Sequence, residues 1–160
     1  MNRQWEGYAM KYWILVHTGG VLEGILDKER WGFEKSEKPL PSLEKGDVVV
    51  FYDGGKEKGY LAGEARLTTG KLQANGELSV VPPNEKPTLL DKIVRFDNIE
   101  LWKDKRKYWL NGHENLENRE KLDVFKNKQN WGRTFQKQSV VEISEKDYKQ
   151  IKESVSNASR

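Results

Sequence analysis

Between Lys11 and His17 the sequence runs Lys-Tyr-Trp-Ile-Leu-Val-His, a stretch that can hardly be anything but a buried β-strand. Its residues are bulky and β-prone, and it is too short for an independent helix. Thr18-Gly19-Gly20 ends it. From Val21 to Glu29 the period changes: Val21, Leu22, Ile25 and Leu26 fall at helical spacing, which predicts a short amphipathic helix. Trp31-Gly32-Phe33 follows at once, and a Lys, Glu and Pro-rich loop runs from Glu34 to Ser42.

Leu43-Glu-Lys-Gly-Asp47 predicts a tight turn, with Gly46 suited to a positive φ angle, opening a second strand over Val48–Tyr52. Asp53 through Gly59 reads as a hairpin loop and Tyr60–Leu67 as the returning strand. Thr69–Lys86 is loop-rich and holds Pro82 and Pro83, with a short strand expected at Leu78–Val81. Ile93–Trp102 is a fourth main strand. Lys103–Arg119 carries no clear pattern, and Glu120–Lys126 suggests a short helix. Val140–Ile143 reads as the last strand. Ser144 then caps a helix over Glu145–Val155 in a Ser-x-x-Asp start, with Tyr148, Ile151 and Val155 as its apolar seam. Strands outnumber helices, so the expected class is α+β on a curved sheet or small barrel. Residues 1–9 are read as an N-terminal extension, 10–155 as one domain and 156–160 as a linker-like tail.

Composition narrows the function. Without cysteine there are no disulfides, thiolate nucleophiles or zinc ribbons, and a reducing, cytoplasmic setting is expected. No stretch approaches the roughly 18 apolar residues of a membrane span, and Met1–Ala9 lacks the apolar block of a signal peptide. His17 and His113 are the only histidines, at no metal-binding spacing, so neither metal nor cofactor is expected. GxSxG, P-loop, HExxH and EF-hand patterns are all missing, which argues for a binding module rather than an enzyme. The formal net charge of +3 is mild for a nucleic-acid binder but allows a local basic face. Six Trp, six Tyr and five Phe are enough aromatics to serve both a core and a stacking surface.

Four stretches taken in order resemble the EVE family of the PUA-like superfamily, which also holds the YTH domains. They are Met10–His17; the helix ending in Glu29-Arg-Trp-Gly-Phe33; Leu43–Tyr52 with Gly59–Ala65; and Phe125–Trp131 with Ile143–Lys149. The resemblance implies a pseudo-barrel of about five to six strands, with helices after the first strand and at the C-terminus. It also implies a pocket at one mouth that accepts a base extruded from a nucleic-acid strand. Archaeal and bacterial members stand alone or serve as readers for McrBC-type restriction systems, which would give an AAA+ motor and a nuclease as partners. The second pocket tryptophan of YTH relatives has no counterpart here, because Thr69–Leu90 holds no aromatic residue; Tyr108 or Trp109 would have to supply that wall.

Carried onto this chain, the likeness makes Trp31 the stacking residue, or else a plug at the barrel end. Gly32 and Phe33 would offer backbone groups to the base edge, and His17 and Thr18 polar contacts at the exit of the first strand. Lys35 and Lys38 could clamp the strand, and Arg133 aligns with a phosphate-binding arginine of YTH relatives. Lys103–Lys107 is the densest basic run and a possible phosphate track. Trp131 and Tyr52 suit either the pocket or the core; Trp13 is assigned to the core. The expected partner is nucleic acid with a modified base, methylated adenine or modified cytosine, DNA ahead of RNA. A small-molecule or nucleoside sensor using the same pocket is the alternative from another class.

Overall fold

In the computed structural model, which describes residues 10–17, 21–35, 40–53, 60–102, 121–124 and 140–158, the first strand (β1, Tyr12–His17) is apolar without interruption because both its faces are covered. Tyr12, Ile14 and Val16 join one buried cluster, while Trp13 and Leu15 join a second on the other face. Alternation is invisible in the sequence of such a strand, since both faces demand apolar side chains.

The chain then forms α1 (Leu22–Lys28), β2 (Arg30–Phe33), β3 (Val48–Asp53), β4 (Tyr60–Leu67), β5 (Leu72–Gln73), β6 (Lys92–Leu101), β7 (Val140–Ile143) and α2 (Glu145–Ala158). The sheet order is β2-β6-β4-β3-β1-β7, with β5 also pairing β6. β1 runs parallel to β3, from Tyr12↔Val48 to His17↔Asp53, and antiparallel to β7. The other pairings are antiparallel. The long strand β6 serves two neighbours in turn: Lys92–Arg95 pair with β2, and Phe96–Leu101 with β4. Within the β4-paired half the register shifts between Glu64 and Arg66, opposite Asp97–Glu100, where Asn98 takes φ 53°. Such a bulge bends and twists a strand, and here it helps curl the sheet into a half-barrel. The architecture is α+β, as expected, with seven strands among the described residues.

Of the described helices, one covers each face. α1 buries Leu22 and Ile25 against Trp13, Leu15, Phe33 and Phe51. α2 lays Tyr148, Ile151 and Val155 over Tyr12, Ile14, Val141 and Ile143, with Tyr148 stacked on Tyr12 at 4.6 Å between ring centroids. Its start is half of the expected capping box. Ser144 Oγ accepts the Asp147 amide at 3.0 Å, but the Asp147 carboxylate turns outward and accepts the amides of Asp123 (2.7 Å) and Val124 (3.0 Å). The acidic residue of the motif therefore anchors a distant loop.

The expected turn before β3 forms, with Gly46 at φ 94°. Asp47, fully buried, is its keystone: it accepts the Glu44 amide, the Lys11 amide and, at 2.9 Å, the Trp13 indole N–H. Several readings need correction. Arg30–Phe33, to which the sequence reading gave no element, is a strand; β6 supplies its partner, which no local pattern announces. Leu78–Val81 contributes only an isolated bridge, Leu78↔Leu89. Residues 121–124 form turns where a helix was expected. α2 continues to Ala158, so 156–158 of the linker-like tail are helical. Lys103–Lys107, Tyr108, Trp109 and Lys38 lie outside the described residues.

Candidate functional site

α1 gives way to β2 without a loop because Glu29 adopts the left-handed conformation, φ 51°, ψ 38°. Its amide bonds back to Leu26, and its carbonyl accepts the Phe96 amide of β6. This single residue swings the chain from helix to strand and sets Arg30, Trp31 and Gly32 along one side of a pocket of about 230 Å³. Val21 and Ile25, at the start of α1, form a second side together with Val16 near the end of β1. The third side is Ser79, Val80 and Leu90.

That third side is a narrow two-stranded ribbon. Its rungs are Leu90 N–H to Glu77 C=O (3.0 Å), the Leu78↔Leu89 bridge and Ser79 N–H to Thr88 C=O (2.8 Å). Asp91 N–H bonds the Phe33 carbonyl at 2.8 Å, holding the base of the ribbon to β2. Arg30 ties the ribbon a second time: Nη2 donates to Leu78 C=O at 2.6 Å, and Nε stands 2.8 Å from Glu77 Oε1. The latter contact is an ion pair rather than an aligned hydrogen bond, since Nε has no acceptor along its N–H direction. Arg95 reaches the other Glu77 oxygen at 3.4 Å. Gly32 sits directly under Leu90. A Cβ there would stand 2.3 Å from Leu90 Cδ1, so the glycine is what allows the ribbon to settle onto β2.

Trp31 lines this pocket and is also 6% exposed, part of the cluster with Trp13, Phe33 and Phe96. The same side chain thus lies both at the pocket and in the core. Gly32 joins it at the pocket. Phe33 does not: it is fully buried behind β2. Lys35 is exposed in the turn after β2. Tyr52 belongs to the other buried cluster, with Val50 and Leu61, and does not line the pocket. Burial, with the neighbouring Asp53 charge, pushes its phenol up to about 12; Tyr60, which donates to Asp53 Oδ2 at 3.2 Å, is raised by the same causes. His17 ends β1 with its Cα paired to Asp53. Thr18, Trp131 and Arg133 lie outside the described residues.

Sequence reasoning missed Arg30, Ser79, Val80 and Leu90. Nothing local marks an arginine beside a tryptophan as buried, and the ribbon residues sit in a segment whose composition reads as loop. What the sequence did show is the lack of aromatics from Thr69 to Leu90, and the wall built from that segment is aliphatic. Chemically the pocket is an apolar slot with one indole, one hydroxyl and one buried guanidinium. Among the described residues no group of three or more His, Asp or Glu side chains could hold a metal ion, and no helix is long and apolar enough to cross a membrane.

No protein-family model matches the chain, and neither does any curated protein. Solved structures do. A hypothetical protein from Leishmania major superposes with a TM-score of 0.60 at 17% identity, over 95% of this chain and 98% of that one. Human THYN1, crystallised in complex with 5-methylcytosine containing DNA, superposes with a TM-score of 0.56 at 14% identity, over 94% and 98%. The fold is PUA-like. At these identities the likeness is one of fold, and what the PUA-like half-barrel does in this chain has to be argued from its own pocket.

Proposed function

We propose that this chain is a reader of modified nucleic acid that takes an extruded base into the pocket beside Trp31, and that its natural ligand is DNA. The observation that carries this reading is the pocket itself: an indole, aliphatic side chains and a few polar groups converge between α1, β2 and the ribbon of a PUA-like half-barrel. A structural neighbour with that fold, human THYN1, was solved with methylated DNA. Stacking a base on an aromatic face contributes about 1–3 kcal/mol, which offsets part of the few kcal/mol needed to unstack it. Among the described residues lining the pocket no acid is paired with a base, and we read the chain as a binding module rather than an enzyme. Lys35, exposed in the turn after β2, and Arg133 are assigned the backbone phosphates, with His17, Thr18 and Trp131 around the base. On this reading the module delivers a separate motor and nuclease to modified DNA.

The test is fluorescence-polarisation binding to short duplexes, plain or carrying one modified base. Wild type should bind one modified duplex preferentially. Trp31→Ala should weaken that binding by about 5- to 150-fold, the equivalent of the lost stack. Because Trp31 is also a core residue, Ser79→Trp provides a second variant: it fills the pocket from a half-buried position and should abolish the preference while the protein stays folded. Equal binding of plain and modified duplexes, or of Ser79→Trp and wild type, would sink the proposal. Tight binding of the free nucleoside would favour a small-molecule sensor, and preference for the ribo form of the same oligomer an RNA reader.

A further inference from the structure

The two-stranded ribbon beside the pocket is the far half of the hairpin begun by β5 and β6. Leu72 and Gln73 pair with Ile93 and Lys92, and the ladder resumes beyond Asn75 and Gly76 with Glu77 opposite Leu90. Those two extra residues take φ 50° and φ 88°. Unmatched residues in one strand bend it, and the far half of this hairpin lies against β2 and α1. Two glycines receive it: Gly32 makes room for Leu90, and a Cβ on Gly24 would stand 2.7 Å from Val80 Cγ1. Polar contacts fasten it, with Arg30 donating to the Leu78 carbonyl at 2.6 Å and Thr88 donating to Glu34.

The side chains this ribbon gives to solvent are apolar. Leu78 is 46% exposed and Leu89 67%. They stand opposite each other, flanked by the Leu90-to-Glu77 and Ser79-to-Thr88 backbone bonds. That is the non-hydrogen-bonded type of pair, in which two side chains come closest. Their chain neighbours Ser79 and Leu90 line the pocket and they do not, so alternation puts the two leucines on the ribbon's other face.

We propose that Leu78 and Leu89 form an apolar wedge that fills the gap left in a duplex when a base is extruded into the pocket. The proposal rests on the base-reading function above and adds how the rest of the duplex is held. An extruded base stays joined to its strand, so its gap lies within one nucleotide of the pocket, and the ribbon is the wall between them. The base pairs bordering that gap have lost a stacking neighbour. Apolar side chains, leucine among them, are what proteins insert at unstacked base steps. Size argues against a protein partner: two leucines on a narrow ribbon fall far short of the roughly 800 Å² and 20–30 residues that each side of a stable protein interface needs. A wedge also has to keep its position, and the Arg30 bond to the Leu78 carbonyl fixes the backbone of one leucine directly.

The experiment measures binding of one oligonucleotide carrying a single 5-methylcytosine and another carrying a single N6-methyladenine, each as a single strand and annealed to its complement. It uses wild type, Leu89→Ser, Leu78→Ser and Leu89→Phe. Both positions are exposed, so the variants should fold, which thermal melting checks. For the modification that wild type prefers, Leu89→Ser should weaken duplex binding by about 5- to 30-fold, equivalent to leaving the exposed part of one leucine side chain in water. Single-strand binding should stay unchanged, because a single strand has no gap to fill. Leu78→Ser should act in the same direction and more weakly. Leu89→Phe should keep or tighten duplex binding, since an aromatic ring stacks on the bordering bases. Equal losses on duplex and single strand, or duplex binding unchanged in both serine variants, overturn the wedge and leave the reader function intact. So does a concentration-dependent dimer that Leu89→Ser disperses in sedimentation, which would assign the leucines to a contact between copies. Binding that ignores modification altogether removes both proposals.

Discussion

Asp47 shows how much of this fold hangs on one carboxylate. It is buried completely and draws the Lys11 and Glu44 amides and the Trp13 indole to itself, joining the start of β1 to the turn that launches β3. Removing one partner of a buried hydrogen bond costs more than the bond contributed, because the remaining group stays desolvated. Asp47→Ala should therefore lower unfolding free energy by about 3 kcal/mol in equilibrium denaturation. In a Trp13→Phe background the same substitution should cost about 1 kcal/mol less, since the indole donor is already gone. Equal costs in the two backgrounds would show that the indole contact contributes nothing. The turn glycine and the acidic residue after it could be read from Leu43–Asp47; the indole partner 34 residues away could not.

At the scale of elements, the docking of α2 is decided by β4. Glu64, facing the helix from the middle of the sheet, accepts the Tyr148 hydroxyl at 2.5 Å and the Lys152 ammonium, and Lys152 lies 3.7 Å from Glu100 as well. Tyr148 and Lys152 stand one helical turn apart, so a single carboxylate engages two successive rungs of the helix. Tyr148→Phe keeps the ring stacked on Tyr12 and deletes only the donor. It should destabilise the protein by about 1–2 kcal/mol in chemical denaturation, and by clearly less when Glu64 is already alanine. A cost unaffected by Glu64→Ala would move the interaction elsewhere. The apolar seam of α2 was legible as Tyr148, Ile151 and Val155 because a helix announces its buried face through spacing. The diversion of Asp147 from its own cap to residues 123 and 124 was not, because both uses of that carboxylate are local chemistry of equal merit until the loop arrives.

For the whole molecule, the buried phenols set an alkaline limit. Tyr52 is raised to about 12 by burial first and by Asp53 second, and Tyr12, Tyr60 and Tyr148 are raised too. An unfolded tyrosine titrates near pH 10. Between pH 10 and 12 the unfolded chain releases the Tyr52 proton while the native state holds it. The stability linked to that proton is fully present below pH 10 and is lost as pH rises through 12. Tyrosinate absorbance should rise late and together with unfolding. Tyr52→Phe, compared with its own neutral-pH stability, should lose less between pH 10 and 12 than wild type. An unchanged alkaline profile would show that Tyr52 is not the group responsible.

What the sequence by itself determined are the features whose causes are local. The β1 run, the α1 and α2 seams, the Gly46 turn and the alternation of helix and strand follow from side-chain spacing and from backbone preferences within a few residues. The α+β class follows from their order. What only the tertiary structure decided is where distant segments meet. β2 is a strand because β6 lies beside it, and Gly32 is needed because Leu90, 58 residues later, packs on it. Tyr52 faces away from the pocket because alternate side chains of β3 enter different clusters. Arg30 becomes a buried fork only when Glu77 and the Leu78 carbonyl close over it. Burying a charge requires a partner in place, and no residue near Arg30 in the chain names that partner.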